Sequence, residues 1–240
     1  MTGLVTSSQI QLFPPAYMLN RFKTADVLII LEEAQYTKKQ FFDHFAVGER
    51  EVNFKIPLNG GSSRRPLDKV TMVDFDKWTT VVERDLPVLY SETDNFREGF
   101  AWFMKVLEEC RNYDSLQNVC IHTLDSLFRA LEIRTTIMFS KVLVPQRPQD
   151  PSLWIAELAK AARAEKYFQG RDAMDAYFQA KPFEDRRIEL CCQQWHPPQA
   201  MKSYIGMQRS ILHSIFLQGF EKTALGLQGH GVEPWPVRGD

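Results

Sequence analysis

The stretch LVTSSQIQLFPPAYMLNRFKTADVLIILEE, residues 4–33, decides the fold. It opens with a short strand whose end, residues 6–9, is polar. The two prolines at 14–15 form a turn and suit the start of a helix, because proline fixes φ; a short helix is therefore predicted over 16–23. Residues 27–31 form a continuous apolar run, which is typical of a strand buried on both faces of a parallel sheet. Strand, helix and strand make a βαβ unit with a right-handed crossover.

The rest of the chain continues the alternation of strand and helix patterns. Strands are predicted at 51–57, 69–73, 137–144 and 188–192, and helices at 96–110, 115–131, 153–165 and 210–220. Ser152 is a suitable N-cap for the third of these helices. The predicted fold class is α/β, with a Rossmann-like, mostly parallel sheet in the N-terminal half and a largely helical C-terminal half. Residues 1–228 are expected to form a single domain and 229–240 a flexible tail.

Composition and charge exclude several classes of protein. The chain is 44% hydrophobic and 25% charged, as in an ordinary globular protein. Its net charge of −1 gives no electrostatic reason to expect DNA or an anionic membrane as the main partner. No apolar run approaches the roughly 20 residues of a membrane span, and the N-terminus does not resemble a signal peptide. We therefore expect a cytoplasmic protein with no membrane partner.

Cysteine and glycine motifs give no sign of a cofactor. The four cysteines form no CxxC pair, and residues 191–192 are vicinal, so buried, reduced thiols are expected rather than a disulfide framework. No HxH or HExxH spacing indicates a metal site. Neither GxGxxG nor GxxxxGK[ST] occurs. The sequence therefore predicts neither a metal nor another cofactor.

Polar side chains follow the first predicted strand. Gln9 and Gln11 come where that strand ends, just before the start of a helix. In open α/β sheets, ligands lie beyond the carboxyl ends of strands, and a helix start favours an anion such as phosphate or carboxylate. A glutamine both donates and accepts hydrogen bonds, which suits orientation of a substrate rather than proton transfer. The alternative is that both side chains bond the backbone of their own loop.

A second polar set leaves the end of the strand at 27–31. Lys38 could neutralise a phosphate or carboxylate, Glu32 could act as a base, and Gln35 and Tyr36 could contact the substrate. A solvated charged face is the alternative. Because the carboxyl ends of neighbouring parallel strands meet at one edge of a sheet, Gln11 and Tyr36 are expected to reach one shared hollow.

Two histidines are the candidate general bases near neutral pH. His44 follows Asp43 in a polar loop, and Asp43 is taken as a substrate contact. His196 follows the predicted strand at 188–192. For both histidines a purely structural role is the alternative.

The order of these motifs resembles that of the WbqC-like family. Residues 9–14 (QIQLFP) and 25–38 (ADVLIILEEAQYTK) resemble its opening, a strand ending in His-Gln-Pro, an Ala-Asp before an apolar strand, and Leu-Asp-Asp-x-Gln-Tyr with a following Lys. Later, 167–170 (YFQG) resembles Tyr-Leu-Ser-Gly, 196–197 matches a His-Pro after a strand, and 209–212 (RSIL) resembles the start of the last helix. The resemblance covers about residues 4 to 222.

The chain departs from the family pattern at several polar positions. Ser8 stands where the family has His, Tyr17 where it has Gly, and His213 where it has Asp. The family's Asn-Arg-Asn is replaced by Asp43, His44 and Phe45. The resemblance places Ser8 and Ser210 among the substrate contacts. Whether either serine has a base beside it, as a nucleophile requires, is left open by the sequence.

The resemblance implies a biosynthetic group transferase. The expected reaction is acyl or aminoacyl transfer onto a sugar or specialised metabolite, with an amide or ester as the product and a small-molecule substrate as the partner. Two rivals stay open: a non-catalytic binding or assembly protein of a biosynthetic cluster, and a transferase that uses aminoacyl-tRNA as its donor. A homodimer is also left open.

Overall fold

A computed structural model describes residues 3–38, 42–199, 209–228 and 230–235. Eight strands are described: β1 (Leu4–Ser8), β2 (Val27–Ile30), β3 (His44–Val47), β4 (Val52–Lys55), β5 (Thr136–Phe139), β6 (Lys166–Gln169), β7 (Glu189–Trp195) and β8 (His230–Pro234). The helices in the same residues are α1 (Ala16–Thr24), α2 (Phe75–Tyr90), α3 (Phe96–Cys110), α4 (Leu116–Ala130), α5 (Ser140–Leu143), α6 (Pro151–Ala161), α7 (Arg171–Tyr177), α8 (Lys181–Glu184) and α9 (Ile211–Gly226). Among them, none is long and apolar enough to cross a membrane.

Six of the strands form one sheet, in the order β5-β2-β1-β6-β7-β8. Neighbours are parallel from β5 to β7, and β8 alone runs antiparallel, against β7. Strands β3 and β4 form a separate antiparallel hairpin. The predicted α/β class with a mostly parallel sheet is therefore confirmed, although the sheet draws strands β5 to β8 from the second half of the chain and the long helices α2 to α4 precede them.

Both faces of the sheet are covered, because alternate residues of the inner strands enter two different cores. In β2, Leu28 and Ile30 pack with α1, α3, α4 and α9 in the larger core. Ile29, between them, packs with α6 and α8 in the smaller core, together with Val5 and Tyr167. This arrangement explains the unbroken apolar run of β2, since neither of its faces meets water.

Aromatic residues fill the larger core. Phe45 of β3 stacks on Phe54 of β4, with ring centroids 5.5 Å apart, and meets Phe13 and Phe103 edge-on at 5.6 and 5.7 Å. Trp78 of α2 closes the same cluster at 6.4 Å from Phe45. The hairpin is thus held against the helices by side chains that prefer edge-to-face contact.

Two of the predicted strands are corrected by the structure. Residues 67–69 form a short 3-10 helix, and the N–H of Leu116 donates to the carbonyl of Val70 at 2.8 Å, so the stretch 69–73 lies against the start of α4 instead of joining a sheet. The predicted strand 137–144 ends at Phe139 and continues as α5. The carboxylate of Glu32 accepts from the N–H of Lys141 at 3.1 Å, which stabilises the new helix start.

Three helix and tail predictions also change at their ends. Asp150 caps α6 by accepting from the N–H of Leu153 at 2.7 Å, whereas Ser152 lies inside the helix. Helix α9 extends past Gly219, where the backbone is kinked, to Gly226. Part of the expected tail forms β8, although the division into one domain and a tail stays a prediction. The buried, unpaired state of all four cysteines was predicted.

Candidate functional site

The order of strands in the sheet reverses between β1 and β6. From β1 the chain passes to β2 and then outward to β5, whereas β6, on the other side of β1, leads to β7 and β8. The backbone ladder between β1 and β6 pairs Val5 with Tyr167 and goes no further toward the carboxyl ends. In open α/β sheets such a reversal leaves a crevice beyond the carboxyl ends of the two strands, and ligands bind there.

A cavity of about 510 Å³ occupies this crevice. Its volume lies within the roughly 300–1,000 Å³ that small-molecule sites have. Strand ends, the first turns of α1, and helices α6 and α7 supply the lining residues, namely Ser7, Ser8, Gln9, Gln11, Tyr17, Met18, Arg21, Leu31, Arg147, Pro151, Ser152, Trp154, Ile155, Gln169, Ala173 and Phe178. The cavity is open to solvent and has both polar and aromatic walls.

Hydrogen bonds between β1 and β6 fix the polar floor of the cavity. The hydroxyl groups of Ser7 and Tyr167 are 2.6 Å apart, and the side-chain amide of Gln169 donates to the Tyr167 oxygen at 3.0 Å and to the carbonyl of Ser7. Thr6 donates to the carbonyl of Phe168 at 2.8 Å. Burial raises the pKa of Tyr167, so its phenol stays protonated and serves as a fixed hydrogen-bonding group.

Arg21 of α1 brings a positive charge to the cavity. Its side chain is only 7% exposed, yet it forms no ion pair or side-chain hydrogen bond within the described residues, and its Nε atom is buried without a partner. Burial lowers the pKa of the guanidinium, which still remains charged at neutral pH. Arg147, at the rim, stacks on Trp154, 4.1 Å from the ring centroid.

Three of the predicted substrate contacts line this cavity. Ser8, Gln9 and Gln11 all come from the end of β1 or the loop after it. The Ser8 hydroxyl donates to the carbonyl of Gln9 at 2.8 Å, while Oε1 of Gln11 is buried without a partner. The structure thus brings these three together, as expected from the strand end, and their role in binding stays a prediction.

Tyr36 and Asp43 form a second polar cluster instead of sharing that hollow. The carboxylate of Asp43 is fully buried, accepts from the Tyr36 hydroxyl at 2.5 Å, and lies 2.8 Å from Nδ1 of His44 and 3.2 Å from Nζ of Lys55. None of these four residues lines the cavity. The expectation that Gln11 and Tyr36 reach one shared hollow is therefore corrected, because the polar side chains after β2 bond one another instead of lining the cavity.

The titration of this second cluster follows from its contacts. Burial alone would raise the pKa of Asp43, but hydrogen bonds from His44, Tyr36 and Lys55 outweigh it, and the pKa lies below its ordinary value. Burial and the bond to Asp43 raise the pKa of Tyr36 strongly. At neutral pH the cluster is thus an ionised carboxylate with three donors, an arrangement that holds the loop and the β3–β4 hairpin together.

The remaining predicted site residues lie apart from the cavity. The Glu32 carboxylate bonds the start of α5, as described above, and Ser210 caps α9 by accepting from the N–H of Leu212 at 3.2 Å. Gln35, Lys38 and His196 are exposed. None of the five is among the described lining residues. Their proposed roles in catalysis or binding stay predictions.

Sequence reasoning missed Arg21, Gln169 and Trp154. Gln169 could have been found, because it ends a strand beside β1 in the same way as Ser8. Arg21 had a weaker signal: it follows Tyr17 by four residues and so lies on the same face of the helix. Trp154 reaches the cavity from the opposite face of the sheet, and only the three-dimensional arrangement reveals it.

No curated protein and no solved structure matches the chain. The family model of the WbqC-like protein family matches residues 9–224, which include the whole cavity lining from Gln9 onward and most of α9. The chain belongs to the WbqC-like protein family.

Proposed function

We propose that this protein is a biosynthetic group transferase that binds a small-molecule substrate in the cavity between the ends of β1 and β6. The observation that carries the proposal is the position of the cavity: it lies where the strand order reverses, and convergent polar side chains and two aromatic walls line it. The proposed reaction is acyl or aminoacyl transfer onto a sugar or specialised metabolite. The cytoplasmic location stays a prediction.

In such a transfer, a hydroxyl or amine of the acceptor forms a bond to the acyl carbon, the bond from that carbon to the donor's leaving group breaks, and the acceptor's proton passes to a base or to the leaving group. Gln9 and Gln11 would orient the reacting groups, since amides both donate and accept. Tyr17 contributes a phenol where the family pattern has Gly, so its ring occupies part of the cavity and would restrict the substrate.

A binding or assembly protein is the second candidate, and one observation favours it. The described lining residues include no His, Asp, Glu or Lys, the residues that most often accept a proton in catalysis. His44 and His196 could act only on a substrate that extends beyond the cavity. The first experiment below therefore tests the site, and the second separates turnover from binding.

Blocking the cavity tests whether it is the functional site. Ala173→Phe places a ring at the cavity wall, whereas Ala176→Phe adds the same ring to the same helix at an exposed position outside the lining. In a strain that lacks the gene, we expect Ala176→Phe to restore the missing metabolite and Ala173→Phe to fail, with both variants folded by circular dichroism. Full restoration by a folded Ala173→Phe protein would reject the cavity as the site.

Stoichiometry tests whether the protein is a transferase. Purified protein added in limiting amount to an extract of the deletion strain should give many product molecules per protein molecule. A yield of at most one product per protein would show a binding or assembly protein instead. Loss of activity after ribonuclease treatment would identify aminoacyl-tRNA as the donor, and the exposed Arg64 and Arg65 would then be the first residues to substitute.

A further inference from the structure

We propose that the substrate of this cavity carries an anionic group, a carboxylate or a phosphate, and that the guanidinium of Arg21 binds it. This inference rests on the proposed function, because it names the chemistry of the molecule that the same cavity would take. It adds a binding residue that neither the family match nor the motifs of the sequence single out.

The first support is the isolation of a buried charge. Arg21 is only 7% exposed, and within the described residues no carboxylate forms an ion pair with it. Taking an unpaired charge out of water costs several kcal/mol, so buried charges are normally paired. Tyr17 and Tyr167 are the titratable groups that affect its pKa, and both are neutral phenols at neutral pH because burial raises their own pKa values. Arg21 therefore lacks a counter-charge that a ligand in the cavity can supply.

The second support is the charge of the cavity as a whole. Its described lining contains two arginines, Arg21 and Arg147, and no acidic residue. Tyr17 and Met18 come from the first turn of α1, so the positive end of that helix also lies beside the cavity. All of these fields favour an anion, and within the lining nothing opposes them.

The third support is a second unsatisfied polar atom. Oε1 of Gln11 is buried and has no partner. A buried acceptor left unbonded costs roughly 1–3 kcal/mol, so a ligand with a hydroxyl or N–H group would relieve it. A hydroxy acid, an amino acid or a sugar phosphate has both an anionic group and such a donor. A purely apolar acyl chain has neither.

The substitution Arg21→Met separates binding from structure. Methionine keeps much of the length of the side chain without its charge. If Arg21 binds a ligand and does not stabilise the ligand-free fold, Arg21→Met in chloride buffer should have a Tm equal to or above that of the native chain, because an unpaired buried charge has been removed. If Arg21 instead holds the fold together, the same change should lower Tm. The matched control is Arg129→Met, because that arginine is exposed and pairs with Asp125 on the surface of α4.

The probes are inorganic phosphate and acetate, each compared with chloride at equal ionic strength. We expect one of them to raise the Tm of the native chain and of Arg129→Met, by about 5 °C once the probe reaches roughly 100 times its Kd. Arg21→Met should show no rise, which corresponds to a loss of affinity of about 100-fold or more. The anion with the larger effect tells a phosphate site from a carboxylate site.

Two results would overturn the proposal: an anion-dependent rise in Tm that survives in Arg21→Met, or no rise in the Tm of the native chain with either anion. The metabolite found in the deletion strain adds an independent check. If Ala173→Phe fails to restore the metabolite and that metabolite has no anionic group, this inference is rejected and the proposed function is still supported. Restoration by Ala173→Phe would reject the proposed function itself.

Discussion

Acid should destabilise this protein through His213, a residue of α9 that is 2% exposed. Burial, and after it the nearby charge of Arg209, lowers the pKa of His213 from 6.5 to about 4. The ring lies against the Tyr90 hydroxyl, and its Nε2 is 3.4 Å from the guanidinium of Arg209. Protonation of the folded protein would therefore place two positive charges side by side in the core.

The sign of the effect follows from the two protonation states. In the unfolded chain, the imidazole takes up its proton as pH falls through 6.5, whereas in the folded protein it stays neutral until about pH 4. Stability from this residue is thus fully present above pH 6.5 and is lost as pH falls toward 4. Between pH 7 and pH 5 the expected loss of unfolding free energy is about 2 kcal/mol.

Urea unfolding at pH 7 and pH 5, followed by circular dichroism, measures this loss. The native chain contains other acid-sensitive groups, so the decisive quantity is the difference between the native chain and His213→Gln, which cannot titrate. The variant should lose about 2 kcal/mol less than the native chain over the same pH interval. His196→Gln, which removes an exposed imidazole, is the matched control.

A carbon-13 NMR titration of the His213 ring checks the same claim in the native chain and does not depend on the stability of the variant. The ring should remain neutral at pH 5. Equal pH dependence of the native chain and His213→Gln, or an imidazole that titrates near 6.5 in the folded protein, would refute the reasoning.

Two further substitutions test structural elements that lie apart from the cavity. Asp43→Asn removes the buried charge that contacts Tyr36, His44 and Lys55. It should lower the unfolding free energy by about 3 kcal/mol in urea titrations. A change no larger than that of a surface substitution would contradict the structural role of this cluster. Gly219→Ala should lower the unfolding free energy by about 2 kcal/mol in the same assay, because φ is 81° there and an added Cβ would lie 2.9 Å from an Asn95 oxygen. The control is Gly60→Ala, whose added Cβ has no atom within 4 Å and which should leave the unfolding free energy nearly unchanged.

The sequence predicted best the parts of the fold that local patterns determine. The unbroken apolar run of β2 indicated a strand covered on both faces, and the apolar spacing of 96–110 gave α3 with the bounds that the structure has. Turn chemistry placed the helix after Pro14 and Pro15 to within one residue at its end. These predictions held because hydrophobic period and proline geometry act over a few neighbouring residues.

Predictions failed where distant residues decide the local structure. The segment 137–144 has the apolar composition of one strand, yet Glu32 and Glu33, more than 100 residues earlier, bond the backbone and side chain at Ser140 and Lys141 and start a helix there. Likewise β8 exists because β7 offers it an edge, at a place where its own Gly and Pro content indicated a loose tail. Local pattern holds no information about such partners.

The predicted positions of the site residues also agreed with the structure where local pattern decides them and differed where tertiary contacts do. The end of β1 was predicted to contribute to a site, and the structure places it at a cavity, since the carboxyl end of an inner strand is a local feature combined with a general rule of α/β sheets. Similar polar residues follow the end of β2, but they do not line the cavity. Asp43 instead contacts Tyr36, His44 and Lys55, and the four form a separate network around its buried carboxylate. A strand end is therefore a reliable pointer only when its polar groups have no better partners within the chain.

That criterion also ranks the two clusters as sites. The carboxylate of Asp43 already has three donors and is fully buried, so a ligand would have to displace stabilising contacts before it could bind. Arg21, by contrast, buries a charge that has no counter-charge among the described residues, and Gln11 buries an acceptor without a donor, so the folded chain bears their desolvation cost and a ligand would recover it. A stable fold does not need such groups in its interior, and their presence beside an open cavity supports the proposal that they bind a ligand. The cavity at the β1–β6 reversal is for this reason the stronger of the two candidate sites.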